Sequence, residues 1–463
     1  MKIVITHAYF LCDDKSEQKT MMPYPPLGLL YVSAYLDQNG LMNEVFDSTF
    51  ETEESLSDYL LKEVPDFICI YATLMTKLQI IRLIKFIKSS NQLKGAKIIL
   101  GGPDVRFNTK NYLIHGADYL VIGEGEATTF ELINALINNE PLNSVRGIAF
   151  SGPLGDIIST PDRNLLNLDN LPLPARHKIN IGSYLSKWKE VHGFNTLNIS
   201  TMRGCPFGCC WCSKAVYGNS NRRRSPRLVV DEIIWMQSHF QFDHIWFVDD
   251  VFTLSTQWLS RFANELKLRH IRISYECITR ADQLSVQDVQ LLKESGCYRV
   301  WIGAESGSQK ILDLMNRKVK VEEVQKSIIS VKKAGMQAGT FIMLGYPGEE
   351  EKDILDTVKH LKRSNPDLYT ITLAYPITGT ELYNQVVLSD PSENDWANRT
   401  DRQTDFSRKY PRQYYEYAIN LVNREMAGYR NWKKMKMVQA LKHKLFAIYW
   451  RLKMKQISIY HQS

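Results

Sequence analysis

The sequence has few cysteines and no long uncharged apolar run, and each absence excludes a class of protein. Its 463 residues include eight cysteines, too few for a disulfide-stabilised scaffold of this length. No stretch supplies the roughly 18 consecutive apolar residues that a membrane-spanning helix needs. The first residues lack the basic, apolar and cleavage regions of a secretory signal peptide. We therefore expect a protein of the reducing cytoplasm.

Acidic residues are missing from one part of the chain. The net charge is +7, and the segment from Arg430 to Lys455 carries many lysines and arginines but no aspartate or glutamate. Large apolar residues lie among them, namely Trp432, Leu441, Leu445, Phe446, Ile448, Tyr449, Trp450 and Leu452. The pattern favours a terminal helix packed on the body of the protein with a solvated basic face. The alternatives are an amphipathic helix on an anionic membrane surface and nucleic-acid binding, for which no module is present.

The most informative stretch is RGCPFGCCWC, which runs from Arg203 to Cys212. Cys205, Cys209 and Cys212 form a C-x3-C-x2-C spacing. Three thiolates on one loop can bind an iron–sulfur cluster but leave one of its irons without a protein ligand. A structural zinc site normally takes two separated ligand pairs, and no second pair follows. Cys210 does not fit the spacing and is interpreted as a bystander.

This cysteine pattern resembles the signature of the radical S-adenosylmethionine (radical SAM) superfamily. In that superfamily the open iron of a 4Fe–4S cluster chelates the amino and carboxylate groups of S-adenosylmethionine. An electron from the cluster then cleaves the sulfonium to a 5′-deoxyadenosyl radical. The resemblance implies that Cys205, Cys209 and Cys212 hold the cluster and serve catalysis, and that Phe207 lies among the cofactor-binding residues.

The first part of the chain alternates strands and helices. KIVIT, NEVFDS, DFICIYAT, AKIILGGPD and YLVIGEG are predicted strands, and helical patterns lie between them. This alternation predicts a doubly wound parallel α/β sheet of Rossmann-like type, whose ligands bind outside the carboxyl ends of the strands. The candidate binding residues at those ends are Tyr9, Thr73, Gly101, Gly102, Pro103, Gly123, Glu124, Gly125 and Glu126. The glycines either admit a large ligand or only make tight turns.

Four segments of this front part resemble the cobalamin-binding domain that precedes the radical SAM domain in one large subgroup. They are PPLGLLYVSAYL, the strand ending in AT-x-x-T, GGPD and GEGEATTFEL. The resemblance covers residues 1–139 and implies a flavodoxin-like fold that binds cobalamin at its strand ends. The D-x-H-x-x-G motif of other cobalamin proteins is missing, so no histidine is assigned as the lower cobalt ligand.

A second strand–helix alternation runs through residues 196–388. About six β-α units predict a partial (β/α)6 barrel of TIM type, which is also the fold that the superfamily resemblance implies. The segment 141–195 is rich in Pro, Asn and Asp and is predicted to be a linker. The predicted division is therefore a cobalamin-binding domain (1–140), the linker, the radical SAM domain (196–388) and a helical, basic region (389–463).

The superfamily resemblance assigns two acidic strand ends to S-adenosylmethionine. Asp249 and Asp250, in FVDD, would lie near its methionine amino group, because a carboxylate pairs with an ammonium. The alternative is that they cap the next helix. Glu305 and Ser306, in GAES, resemble the strand end that touches the ribose or methionine moiety, where a carboxylate can accept hydroxyl hydrogen bonds.

Three further residues follow from the same resemblance. Gly345 and Pro347, in GYPG, resemble the strand end beside adenine. Arg280, in ITRAD, either approaches the methionine carboxylate or forms a surface ion pair. The run 222–224, three arginines after the cysteine loop, is expected to be solvated rather than to neutralise a substrate.

Together these resemblances imply an enzyme that uses a 4Fe–4S cluster, S-adenosylmethionine and cobalamin. The expected reaction is methylation of an unactivated carbon or phosphorus in a small molecule or lipid. Alternatives are a non-methylating enzyme of the same architecture such as an oxidative cyclase, a methylthiotransferase, and a non-catalytic cobalamin or redox sensor. Only Cys12 and Cys69 precede the loop, which argues against the second cluster of methylthiotransferases. A flavodoxin or ferredoxin is the expected electron donor, and no nucleic-acid partner is expected.

Overall fold

The computed structural model describes residues 1–387 and 396–462. Its first sheet contains β1 (Ile3–His7), β2 (Glu44–Phe46), β3 (Phe67–Tyr71), β4 (Lys97–Gly101), β5 (Tyr119–Val121), β6 (Ile148–Ser151) and β7 (Ile157–Ser159). The strand order is β2-β1-β3-β4-β5-β6-β7, and the first five strands are mutually parallel. The order 2-1-3-4-5 is that of a flavodoxin-like sheet, so the predicted fold of the front part is confirmed.

Helices cover both faces of this sheet. They are α1 (Lys15–Thr20), α2 (Leu27–Gln38), α3 (Glu53–Glu63), α4 (Lys77–Ser89), α5 (Thr109–Ile114) and α6 (Gly125–Ile137). Successive residues of β1 point to opposite faces, so that Ile3 and Ile5 join the core under α2 and α6 while Val4 joins the core under α3 and α4. Burial on both faces explains why these strands read as continuous apolar runs.

The segment 141–195, predicted to be a linker, is largely folded. It supplies β6 and β7, which extend the first sheet in antiparallel fashion, and the helix α7 (Ile181–His192). The strands are only four and three residues long and lie between glycines and prolines, so their pattern was too short to detect in the sequence. The prediction of a linker was therefore wrong for this part of the chain.

The second sheet has six parallel strands in an unbroken order. They are β8 (Thr196–Ile199), β11 (His244–Phe247), β12 (Tyr275–Thr279), β13 (Cys297–Glu305), β14 (Gln337–Leu344) and β15 (Leu368–Leu373). Their spatial order, β15-β14-β13-β12-β11-β8, is the chain order reversed. Sequential parallel pairing with a helix after each strand is the topology of a partial (β/α)6 barrel, as predicted.

The helices outside this sheet are α8 (Pro226–His239), α9 (Thr256–Leu268), α10 (Val286–Glu294), α11 (Gln309–Leu314), α12 (Val321–Lys333), α13 (Glu351–Ser364) and α14 (Glu381–Val387). A short antiparallel ribbon, β9 (Met202–Arg203) and β10 (Arg222–Arg223), brackets the cysteine loop. The predicted boundary at 388/389 lies outside the described residues.

Two long helices follow, α15 (Arg412–Lys433) and α16 (Met437–Gln462), and they pack on each other as a hairpin. Buried residues of α15, such as Tyr415 and Leu421, join the core of the barrel, as do Ala447 and Met454 of α16. Across the described ranges, no helix combines the length and the apolar character needed to cross a bilayer.

A buried cluster of charges ties the segment before β8 to the barrel. The Arg176 guanidinium donates to Glu232 on α8 (Nη1–Oε1 2.6 Å) and to the Asn198 carbonyl of β8 (2.6 Å). Arg224 donates to the other oxygen of Glu232. Burial by itself would raise the pKa of Glu232, but the two guanidinium groups hold that pKa below its usual range. The carboxylate is thus the common partner of two buried cations.

We predict that Glu232→Gln lowers the free energy of unfolding by about 3–5 kcal/mol, because it leaves two buried guanidinium groups without their counter-charge. Urea unfolding followed by circular dichroism measures the change. The matched control is Asp231→Asn on the same helix, whose partner Arg269 is partly exposed, and it should cost less than about 1 kcal/mol. Equal losses in the two variants would contradict the buried-charge interpretation.

Candidate active site

A cavity lies between the two sheets. Its volume is about 320 Å³, within the roughly 300–1,000 Å³ of sites for drug-sized ligands. One wall consists of strand ends of the first sheet: Tyr71, Gly101, Gly102, Pro103 and 123–126. The facing wall consists of the cysteine loop and the residues after it: Arg203, Gly204, Cys205 and 212–218. Most of the predicted front-domain residues and two of the three motif cysteines therefore meet in one cavity.

Glycines shape the first wall. Gly102 has φ = +115°, and a Cβ atom there would collide with the carbonyl oxygen of Ala72, so only glycine fits this turn. Gly123 also has positive φ, +91°, and a Cβ atom there would lie 3.7 Å from the Val216 carbonyl oxygen. Below them the cavity is lined by apolar side chains, including Ile5 and Val121. A flat backbone wall over an apolar floor fits a large planar ligand such as a corrin.

The structure brings most of the predicted front-domain residues to this cavity, but not all. Gly101, Gly102, Pro103 and 123–126 line it, whereas Tyr9 and Thr73 lie outside its described lining. The backbone N–H of Thr73 donates to the hydroxyl of Thr76 (3.0 Å), and Thr76 is the N-cap residue of α4. Tyr71, which no motif assigned to the cofactor, lines the cavity instead.

Arg203 connects the two walls. Its Nη1 donates to Glu124 Oε1 (2.8 Å) and its Nη2 to Glu126 Oε1 (2.5 Å). The guanidinium lies between the rings of Tyr31 and Tyr217, 5.3 and 5.4 Å from their centroids. Burial opposes the charge, yet Glu126 and Glu124 hold the pKa of Arg203 above its usual range. The carboxylates predicted to bind a cofactor therefore pair with the residue that begins the cysteine motif.

The arginines after the cysteine loop are not solvated, so that expectation was wrong. Arg222 donates to Glu124 (Nη1–Oε2 3.0 Å), and Arg223 lies 3.8 Å over the Trp258 ring and donates to Asp249 (3.3 Å). Arg224 is 6% exposed and pairs with Glu232. Arg224 is buried and Arg222 and Arg223 are partly buried, and their carboxylate partners lie on other elements, which local reasoning could not place.

The three cysteines of the motif lie on the loop between β9 and β10. Cys205 and Cys212 line the cavity. Cys205 and Cys209 are partly buried, and Cys212 is exposed. Within the described chain, no three His, Cys, Asp or Glu side chains are gathered around one ion position. A four-iron cluster distributes its cysteines over separate irons, and this loop fits such a group.

Two arginines donate to the middle cysteine. Arg280 Nη1 lies 3.6 Å and Arg317 Nη1 lies 3.7 Å from Cys209 Sγ. The Arg280 guanidinium also stacks on the Phe207 ring at 3.8 Å, so both predicted residues belong to the cluster loop's surroundings. The Asn316 amide donates to the Gly208 carbonyl (2.7 Å), which holds the same loop. In the chain Arg317 follows α11 and not a strand, so no sequence motif indicated it.

The two neighbouring aspartates have different surroundings. Asp249 is 2% exposed and accepts hydrogen bonds from the backbone N–H groups of Thr201 (2.7 Å) and Met202 (2.9 Å). It therefore holds the start of the cysteine loop. Asp250 lines the cavity beside Cys212, and burial together with Asp249 raises the pKa of its carboxyl. Of the two, Asp250 is the one available to a ligand.

The remaining predicted residues lie at the ends of β13 and β14. Glu305 has φ = +61°, an unusual value for a side-chain-bearing residue, and its Oε1 is 3.6 Å from Arg317 Nη2. Ser306 is fully buried against the Thr357 hydroxyl (3.2 Å). Gly345 accepts from Arg408 (3.0 Å), and Pro347, in the following turn, is half-buried. Glu305 and Cys209 thus contact the same guanidinium, that of Arg317.

Comparison with known families identifies both halves of the chain. The radical SAM superfamily matches residues 199–361, and the B12 binding domain matches residues 19–133. The chain is therefore a radical SAM protein that carries a cobalamin-binding domain.

Curated relatives match most of this chain at low identity. An uncharacterised methyltransferase of Pyrococcus horikoshii is 27% identical over 373 residues, which cover 79% of each chain. An anaerobic magnesium-protoporphyrin IX monomethyl ester cyclase of Rubrivivax gelatinosus is 24% identical over 379 residues, or 78% of this chain and 66% of the relative.

A solved structure has the same fold across almost the whole chain. The cobalamin-dependent S-adenosylmethionine radical enzyme OxsB, with aqua-cobalamin and S-adenosylmethionine bound, aligns with a TM-score of 0.73 and 17% identity. The alignment covers 99% of this chain and 72% of OxsB. This alignment confirms the predicted fold. The two family matches confirm that the protein is an enzyme whose cofactors are a 4Fe–4S cluster, S-adenosylmethionine and cobalamin.

After anaerobic reconstitution the wild type should hold about four irons per chain. We predict that Cys209→Ala holds only a small part of that iron, because a cluster ligand is missing. Iron analysis and the visible spectrum measure the loss. Cys210→Ala is the matched control and should retain the iron. The Cys210 thiol is buried beside Tyr346 and Glu381, whereas Cys205 and Cys212 line the cavity. Full iron content in Cys209→Ala would contradict the assignment.

We predict that Arg317→Gln makes the reduction potential of the cluster more negative, because it removes a positive charge and a donor from Cys209 Sγ. Redox titration monitored by electron paramagnetic resonance measures the potential. Arg261→Ala, an exposed arginine on α9, serves as the control and should leave the potential unchanged. An unchanged potential in Arg317→Gln, with full iron content, would contradict this role.

Proposed function

We propose that the protein is a cobalamin-dependent methyltransferase that methylates an unactivated carbon, or phosphinate phosphorus, of a small-molecule or lipid substrate. The observation that carries the proposal is the shared cavity, with the cysteine loop on one wall and the glycine-rich strand ends on the other. A substrate between these walls would lie close to both cofactors. The methyltransferase name of the Pyrococcus relative supports the same reaction class.

The cofactors would supply the chemistry, and the chain would position them. When bound, the cluster with S-adenosylmethionine supplies a hydrogen-abstracting radical, and the corrinoid supplies the methyl group. Cys205, Cys209 and Cys212 would hold the cluster, with Arg280 and Arg317 donating to the middle sulfur. The buried walls of the cavity exclude water from the reacting atoms.

S-adenosylmethionine would extend from the barrel side of the cavity, where Asp250 lies, to strand ends that do not line the cavity. Asp250 would orient the methionine ammonium, because its carboxylate faces the cavity beside Cys212. Glu305 would accept hydrogen bonds from the ribose. The backbone of Gly345 and Pro347 would lie beside adenine. Asp249 and Ser306 would support these groups from behind, since their polar atoms already have protein partners.

The corrinoid would lie against the strand ends of the first sheet. The backbones of 101–103 and 123–126 supply a surface without bulky side chains. Among the described residues that line the cavity there is no histidine. We therefore assign no histidine of this chain to hold the corrinoid.

The environment of the reaction follows from the cofactors. An oxygen-sensitive cluster suits the reducing cytoplasm, where we place the protein. Its electron donor would be a small redox protein such as a flavodoxin or a ferredoxin. A non-methylating oxidative reaction is the second candidate, because the Rubrivivax relative is a cyclase.

A methyl-label experiment separates the two candidates without knowledge of the substrate. We predict that the anaerobic protein, loaded with cobalamin and reductant, transfers a trideuterated methyl group from S-adenosylmethionine to the corrinoid and also forms 5′-deoxyadenosine. Mass spectrometry of the extracted corrinoid measures the label. Deoxyadenosine without label on the corrinoid would contradict methyl transfer and favour the oxidative reaction.

The matched variants for this experiment are Val32→Trp and Val191→Trp. Val32 lines the cavity on the side of the first sheet. An indole there should prevent corrinoid binding, and therefore methyl labelling of the corrinoid, while the iron content is unchanged. Val191 is 49% exposed on α7, away from the cavity, and its variant should behave as wild type. Normal corrinoid binding by Val32→Trp would show that the ligand lies elsewhere.

A further inference from the structure

Helix α16 has two apolar faces, and the protein covers only one of them. The inner face contains Ala440, Ala447 and Met454, all at most 7% exposed. Trp450 packs against the Tyr417 ring at a centroid distance of 5.3 Å, and Gly428 of α15 allows the close approach of Ala440. This face anchors α16 to the rest of the chain, as expected for a packed terminal helix.

The outer face is a stripe of exposed bulky apolar side chains. Val438 is 84%, Leu441 63%, Leu445 61%, Leu452 60% and Ile459 67% exposed. With about 100° between successive residues of an α-helix, these residues fall within an arc of about 60°. The helix has 26 residues, so the stripe extends along a rod of about 39 Å. Soluble proteins rarely leave such a continuous apolar surface without a binding partner.

Basic side chains border the stripe on both sides. Lys442 and Lys453 lie along one edge, and Lys444 and Lys455 along the other. Lys444 pairs with Glu425 of α15 (2.8 Å). In the described part of the chain, Lys442, Lys453 and Lys455 have no carboxylate within 4.0 Å, so their charges remain available to an external anion.

We propose that the outer face of α16 lies on the surface of an anionic lipid bilayer. The aliphatic stripe would enter the boundary between headgroups and acyl chains, and the lysines would extend from its edges to anionic headgroups. A helix that binds in this way lies parallel to the membrane plane, which agrees with the absence of a spanning helix among the described residues.

The charge pattern favours a membrane over a second copy of this chain. The segment 430–455 has no acidic residue. A symmetric pair of α16 helices would therefore bring lysine rows close to lysine rows, and like charges at that distance repel. An anionic bilayer surface instead attracts every one of these lysines.

Co-sedimentation of the full-length protein with lipid vesicles tests the proposal. We expect binding to vesicles that contain phosphatidylglycerol, much weaker binding to pure phosphatidylcholine, and loss of binding as salt is raised. Leu445→Glu/Leu452→Glu should weaken binding at least about tenfold, because it places carboxylates in the apolar stripe. Lys442→Gln/Lys453→Gln should weaken it about tenfold through lost attraction to the headgroups.

Matched controls separate the stripe from a general effect of charge. Leu154→Glu/Leu268→Glu changes two exposed leucines elsewhere, 95% and 65% exposed, and should bind vesicles as wild type does. Iron content and circular dichroism establish that each variant is folded. Two results would overturn the proposal: no binding of wild type to anionic vesicles, or a wild-type dimer in light scattering that Leu445→Glu/Leu452→Glu converts to monomer.

Discussion

The buried pairing of Arg203 with Glu124 and Glu126 is the constraint on which the cavity depends. Arg203 begins the cysteine motif, and both carboxylates belong to the strand-end turn of the first sheet. All three side chains are at most 7% exposed. An unpaired charge at such depth is costly, so the cysteine loop and the glycine wall are held face to face. The two walls of the cavity are thus held together by an ion pair.

This pairing belongs to a longer series of buried charges. The Tyr31 ring lies against Arg203, and its hydroxyl is 3.4 Å from Arg224, which shares Glu232 with Arg176. The series therefore passes from the first sheet through the β9–β10 ribbon to the barrel. Beyond it, Arg280 and Arg317 place positive charge at Cys209. Arginine suits these positions because its planar group donates to several partners at once.

The sequence was sufficient for the fold and for the centre of the site. Strand–helix alternation predicted both parallel sheets, and the spacing of Cys205, Cys209 and Cys212 predicted the cluster loop. What it could not predict depends on contacts between distant residues. Arg317 has no local signature, and β6 and β7 are too short to show periodicity. The 222–224 arginines are buried or partly buried because carboxylates from other elements pair with them. The sequence likewise could not predict which apolar face of α16 is exposed, because that depends on which face packs against the rest of the chain.

An anaerobic crystal structure of the full chain, loaded with cobalamin and S-adenosylmethionine, tests the central claim most directly. The claim is that the cluster and the corrinoid occupy opposite walls of one cavity. We predict a cluster bound by Cys205, Cys209 and Cys212, and a corrin ring against 101–103 and 123–126, with Arg203 still paired to Glu124 and Glu126. A corrinoid bound outside this cavity, or a cluster held by other residues, would contradict it.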